Sequence, residues 1–239
     1  MWREVGREDA AVSAPTSQRL SHMDEWATAR ERMVVDQLER RGIRDARVLA
    51  AMRRVPRHLF VNPDQQANAY DDRALPIGDG QTISQPYMVA VMTAWLGVRA
   101  DAHVLEVGTG SGYQAAVLAE LAREVITIER RDDLASVAEQ RLADLGYSNV
   151  TVIVGDGSRG YPARAPYHGI IVTAGAPLVP ASLEAQLAEG ARLVVPVGSS
   201  THQDLAVVER SGLSFTRTAG EGCVFVPLVG VEGWPERTH

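Results

Sequence analysis

Three carboxylates, Glu106, Glu129 and Asp156, stand in order at the ends of short apolar runs. Glu106 is followed by Gly108, Gly110 and Gly112 and then by a helical pattern beginning at Tyr113. Glycines let a backbone come close to a ligand, and the free N–H groups and dipole of a helix start favour a polar partner. The spacing is Gly-x-Gly-x-Gly, which departs from the Gly-x-Gly-x-x-Gly dinucleotide fingerprint. A carboxylate two residues before the first glycine also argues against a pyrophosphate, and so against an NAD-dependent oxidoreductase. Glu129 lies about twenty residues on, where an acid can accept hydrogen bonds from the two hydroxyls of a ribose. Asp156, between Gly155 and Gly157, can meet an adenine amino group. An acid at three successive strand ends suits a ligand with ribose, adenine and positive charge but no phosphate. S-adenosylmethionine has that chemistry.

These residues need a scaffold that brings strand ends together. From residue 102 the pattern alternates strand and helix: strands at 104–107, 125–129, 150–154, 170–172 and 193–197, with helices at 113–121, 132–145 and 180–188. Continuous β-branched runs separated by helices predict a parallel sheet covered on both faces. Ligands in such folds sit at the carboxyl ends of the strands, near the switch point. Segments 205–209, 214–219 and 223–231, separated by Gly-bearing turns, predict antiparallel terminal strands. Before residue 102, helices are expected at 24–41, at 46–55 after Asp45 as N-cap, and at 87–96 after Pro86; residues 57–86 read as irregular. The fold class is α/β, a doubly wound, mostly parallel Rossmann-like sheet with a helical N-terminal part. Residues 1–22 read as a disordered extension. Residues 23–239 read as one domain, with a helical and substrate part (23–97), a cofactor-binding core (98–200) and terminal strands (201–239).

Composition removes other functions. The formal net charge is −6, against a general nucleic-acid or anionic-membrane surface. All 24 basic residues are arginine, so no Schiff-base or P-loop lysine is available. One cysteine, Cys223, excludes an internal disulfide and a Cys-pair metal site. The six histidines match no metal spacing. A polar start without a signal-peptide core, and no run near the roughly 18 apolar residues of a membrane span, predict a cytoplasmic protein without membrane contact.

The stretch Val104-Leu105-Glu106-Val107-Gly108-Thr109-Gly110-Ser111-Gly112-Tyr113-Gln114 resembles the first motif of the protein-L-isoaspartate O-methyltransferases. Leu75-Pro76-Ile77-Gly78-Asp79-Gly80-Gln81-Thr82-Ile83-Ser84-Gln85-Pro86-Tyr87 resembles a signature particular to that family. Gly155-Asp156-Gly157, Ile170–Ala174 and Phe225–Gly230 are similar as well, so the likeness covers residues 28–230. The resemblance implies methyl transfer from S-adenosylmethionine to the free carboxylate of isoaspartyl residues in damaged polypeptides, leaving S-adenosylhomocysteine. It implies Ser84 as the catalytic residue. It implies Thr82, Ile83, Ser84, Glu106, Gly108, Gly110, Glu129, Asp156 and Gly157 as cofactor contacts. It implies Ser84 and Cys223, Val224, Phe225 and Val226 as the substrate groove. A monomer is expected.

A peptide-tailoring enzyme that methylates one Asp would carry the same motifs, and a binding module without transfer would keep the same pocket. His168, Gly169 and Gly175 depart from the residues common in the family, Asp at the first and Ala at the other two. They predict altered local packing, and His168 would bear on substrate preference if it faced the cleft.

Overall fold

Alternation of apolar residues along the chain decides which side of each strand is buried, and here it builds two covered faces. The structure, a computed structural model, describes residues 25–236; the extension expected at 1–22 lies outside them. Helix α1 occupies residues 25–39, α-helical at first and π-helical over Met33–Glu39. Helix α2 (Ala46–Arg54) starts at Asp45, whose side chain accepts from the N–H groups of Arg47 and Val48. Two 3₁₀ turns, Arg57–Phe60 and Pro63–Asn68, lead to a hairpin of β1 (Leu75–Gly78) and β2 (Gln81–Ile83). Helix α3 (Pro86–Leu96) then enters the sheet domain.

The sheet comprises β3 (His103–Val107), β4 (Glu124–Glu129), β5 (Val150–Val154), β6 (Tyr167–Val172), β7 (Leu187–Gly198), β8 (Gln203–Ser211) and β9 (Ser214–Cys223). Helices α4 (Tyr113–Ala119), α5 (Asp132–Asp144) and α6 (Ala181–Ala185) connect its parallel strands. The strand order is β5-β4-β3-β6-β7-β8-β9, parallel through β7 and antiparallel beyond. The order reverses between β3 and β6, which is where such a fold opens a crevice.

Val104, Val125, Ile171 and Val194 face a core shared with α1, α2, α3 and α4. Their neighbours Leu105, Ile126, Ile170 and Leu193 face a second core containing Leu183 of α6. Period two therefore sends Glu106 to the helical face with Val104, in register with Thr127 and Ile171. Among the described residues no helix is long and apolar enough to cross a membrane.

Three expectations need correcting. Residues 57–86 are not irregular throughout, because Gly78-Asp79-Gly80 turns a hairpin with all three residues at positive φ. The helix expected at 180–188 stops at Ala185, and β7 begins at Leu187. The terminal strand expected at 223–231 is not one; β9 ends at Cys223 and the chain leaves the sheet to cross the strand ends, held by bridges from Pro227 to Gly175 and from Val229 to Trp234. The carbonyl and N–H of Gly175 satisfy the backbone of this segment in place of a ladder with β9.

Candidate active site

The loop after β3 is shaped by what its glycines allow. Gly108 has φ +100°, and a Cβ there would overlap the Thr173 hydroxyl. That hydroxyl, just past β6, donates to the carbonyls of Gly108 (2.7 Å) and Val107 (3.1 Å), so it clamps the loop across the switch point. On the other side, a Cβ on Gly157 would come within 2.6 Å of Val107 Cγ1. Small residues thus keep a cleft open here. Its floor is Val107, Gly108, Gly110, Ile128, Glu129 and Gly157, and its far wall is Val226, Pro227, Leu228 and Val229. A second lobe continues beneath Thr82, Ile83 and Ser84 to Glu106, Ser111, Tyr113 and Gln114. Both lobes share Thr82, Gly108, Gly110 and Thr173, so they lie side by side across the glycine loop.

Glu106 is the electrostatic centre of the second lobe. It is fully buried, and neither carboxylate oxygen has a hydrogen-bond partner. Burial pushes its pKa up to about 8, and the charge of Glu129 adds to that; the nearby Thr127 hydroxyl opposes the shift but pairs instead with Thr109 Oγ1 at 2.7 Å. An unpartnered buried acid is expensive to keep charged without a cation beside it. Glu129 is placed differently. Its Oε2 accepts from Gly110 N (3.0 Å) and its Oε1 from Arg131 N (3.1 Å), so it braces the glycine loop while still lining the cleft.

Asp156 has a third role. Its Oδ1 accepts from the N–H and hydroxyl of Ser158, and its Oδ2 accepts from Val231 N at 2.8 Å. Burial opposes its charge, but the hydrogen bonds from Val231 and Ser158 outweigh that and hold its carboxyl below the usual range. Gly157, not Asp156, is the member of that pair on the cleft surface. Asp156 instead anchors the segment that forms the far wall, together with Ser158, whose hydroxyl accepts from Glu232 N. Asp156→Ala removes these anchors. It is expected to weaken cofactor binding about tenfold, the equivalent of one or two lost hydrogen bonds. Calorimetry giving an unchanged dissociation constant would reject that role.

The β1–β2 hairpin lies over the glycine loop and delivers Thr82, Ile83 and Ser84 to the cleft. Ile77 reaches towards Gly110, and Asp79 at the hairpin tip lies 3.4 Å from Arg131. The Gly-Asp-Gly turn, bracketed by Ile77 and Ile83, was the signal for this hairpin in the sequence. Gln81, Arg130 and Arg131 also line the cleft without having been singled out.

Of the four substrate residues expected on the terminal segment, Cys223 to Val226, the structure brings only Val226 to the cleft, while Ser84 lines it from the hairpin side. Phe225 is packed in the core with its N–H donating to Gln203 Oε1 (2.8 Å), Val224 is 72% exposed, and Cys223 closes β9 with its thiol pushed up to about 11 by burial. The wall continues through Val229 because the segment docks on Gly175, whose N–H donates to Val226 O and whose carbonyl accepts from Leu228 N. Gly175 also makes room for the Gln203 side chain, which a Cβ would approach to 2.9 Å. Gly169 likewise lets Leu96 of α3 sit against the sheet. His168 is the second residue of β6, at the opposite end of the sheet, where its Nδ1 accepts from His103 N. It does not face the cleft.

A family model described as protein-L-isoaspartate(D-aspartate) O-methyltransferase matches residues 29–233. A protein-L-isoaspartate O-methyltransferase of Methanoculleus marisnigri is 55% identical over 206 residues, covering 86% of this chain and 93% of that one. A protein of the same name from a Synechococcus strain is 52% identical over 236 residues, covering 95% and 96%. Among solved structures, a protein-L-isoaspartate O-methyltransferase superposes with TM-score 0.77 at 29% identity, covering 85% of this chain and 67% of that one. A Plasmodium falciparum structure described as a complex with S-adenosyl-L-homocysteine superposes with TM-score 0.70 at 24% identity, covering 81% and 95%, and supports the fold.

Proposed function

The chain belongs to the protein-L-isoaspartate(D-aspartate) O-methyltransferase family, and from that premise we propose which residues of its cleft do the work. The enzyme transfers a methyl group from S-adenosylmethionine to the free carboxylate of isoaspartyl residues in damaged polypeptides. The observation that carries the assignment of roles is the buried, unpartnered Glu106 carboxylate in the same cleft as Ser84.

The residues present fit the cofactor. Glu106 offers a carboxylate with no other partner to a cationic group, and the glycine loop and Gly157 leave the surface bare for close approach. Glu129 and Gln81 lie on the lobe that would hold the ribose and base, between Ile128 and the Val226–Val229 wall. When bound, S-adenosylmethionine supplies an electrophilic methyl on a positively charged sulfur.

The acceptor carboxylate is already ionised at neutral pH, with an unperturbed pKa near 4, so no residue must remove a proton. The task of the site is alignment and charge placement. Ser84 donates a hydrogen bond from its hydroxyl to one carboxylate oxygen, keeping its own proton, and leaves the other oxygen free to attack the methyl carbon. Bound S-adenosylmethionine would supply that methyl group and keep the carbon–sulfur electron pair on sulfur, so the products would be a methyl ester and S-adenosylhomocysteine. Ser84 has no role as a nucleophile in this scheme.

The wall from Val226 to Val229 and the hairpin over the glycine loop would flank the bound cofactor. The substrate enters from the Ser84 side. There Gln85 Nε2 donates to Asp72 Oδ1 (2.8 Å) and the Tyr87 hydroxyl donates to Glu221 (2.6 Å). We further infer a monomer acting in the cytoplasm without nucleic acid, a reading supported by the single unpaired cysteine and the net charge of −6.

The decisive assay uses paired peptides that differ only in an aspartyl or isoaspartyl linkage. Methyl incorporation into several unrelated isoaspartyl peptides, with none into their aspartyl partners, is the expected result. Transfer to one ordinary aspartyl sequence alone would instead establish a tailoring enzyme.

A further inference from the structure

Among the described residues one arginine is completely buried, behind the active-site loop. Arg57 follows α2 in the first 3₁₀ turn and has no exposed surface. Its Nε donates to Ala69 O and its Nη2 to Ser84 O, both at 2.7 Å. Its guanidinium carbon stands 4.8 Å from the centre of the Tyr113 ring, and Tyr113 lines the cleft at the start of α4. Nη1 has no partner, and among the described residues no carboxylate pairs with Arg57. Burying a guanidinium against two carbonyls and one ring face, with no carboxylate to balance its charge, is unfavourable compared with an apolar side chain of the same size. Packing alone therefore does not account for it.

What the guanidinium does here is geometric. Its planar fork reaches two carbonyls, 12 and 27 residues along the chain, while its flat face rests on the ring that opens α4. A lysine at this place has no fork and a compact, strongly hydrated charge. The bond to Ser84 O fixes the peptide plane joining Ser84 to Gln85, and with it the direction in which the Ser84 side chain leaves the backbone.

We propose that Arg57 is the positioning residue of the methyl-transfer site, holding Ser84 in line through its carbonyl oxygen without touching the substrate. This rests on the role given to Ser84. Arg57→Lys keeps a charge but loses the fork. It is expected to lower kcat on an isoaspartyl peptide about 100-fold, the scale of a misplacement near 1 Å, with the dissociation constant for S-adenosylmethionine within about twofold of wild type. Arg57→Met, which buries no charge, is the second variant and is expected to show the same split.

In a Ser84→Ala background either substitution should lower kcat by less than about twofold, because the group it positions is gone. If Ser84→Ala alone keeps wild-type turnover, the role of Ser84 fails. If Ser84→Ala loses turnover while folded Arg57→Lys or Arg57→Met keeps it, the present inference fails and that role stands. Additive losses in the double variant, or the failure of both Arg57 variants to fold, would assign Arg57 to the fold alone and overturn it.

Discussion

Glu106→Gln is expected to weaken S-adenosylmethionine binding about 30-fold or more while making the ligand-free protein more stable at alkaline pH, one substitution with effects of opposite sign. Glu106 is fully buried with neither oxygen partnered, and burial raises its pKa to about 8 from an ordinary 4.5. A raised acid pKa means that the folded protein holds the proton more tightly than the unfolded chain. The stability contributed by the protonated group is complete below about pH 4.5 and is lost as the pH rises to about 8.

Glutamine keeps the shape and never ionises, so it does not suffer that loss. The difference in Tm, variant minus wild type, should therefore be small at pH 5 and several degrees at pH 8.5, at about 2–4 °C per kcal/mol for a chain of this length. Binding has the reverse logic. A cation beside Glu106 favours the ionised form, so the bound protein gives up a proton that the free protein keeps. Wild-type affinity should rise with pH up to about 8 and then level off. The variant should lack that component, and subtracting the two profiles removes the ligand's own titration. Removing the charged member of a buried pair typically lowers affinity by 2–5 kcal/mol, which sets the scale of the loss. Calorimetry in buffers of different ionisation heat reads the proton directly. Equal proton release in both proteins would mean that Glu106 does not face the positive group.

The second large effect falls on turnover. Ser84→Ala is expected to lower kcat on an isoaspartyl peptide about 100-fold, the usual loss when one preorganised donor is taken from a developing charge distribution. Cofactor affinity should change by less than about threefold, because the glycine loop, Glu106 and the far wall remain. The pH profile should keep its shape, since the acceptor carboxylate needs no base and the hydroxyl does not titrate. Unchanged kcat would remove Ser84 from the chemistry. A new pH dependence would instead point to a proton-transfer role.

Much of this arrangement is legible in local residue patterns. The strands of the parallel sheet follow from β-branched runs, and the cofactor end follows from a glycine loop between β3 and α4. Asp45 and Pro56 bound α2 as their chemistry requires. The hairpin at Gly78-Asp79-Gly80 was equally local but was obscured by the polar, proline-containing sequence around it. The far wall was legible only in part. The motif from Phe225 to Gly230 contains the residues that line the cleft, but β-propensity suggested a strand where the chain leaves the sheet to dock on Gly175. That docking depends on a glycine fifty residues earlier and on the side chain of Gln203, and neither is visible from the segment itself.

By itself the order of residues determined that acids would fall at successive ends of parallel strands, because period two and strand–helix alternation are properties of neighbours. Tertiary structure decided what each acid does there. Glu106 loses its water to the helices packed over it and is left with two unpartnered oxygens, the feature on which its proposed role toward a cation rests. Glu129 turns to brace the glycine loop, and Asp156 turns to hold the crossing segment. Hydration, and with it charge, is set by elements that meet only after the chain has folded. The same holds for Arg57, whose two carbonyl partners are brought to it from loops that share no sequence pattern.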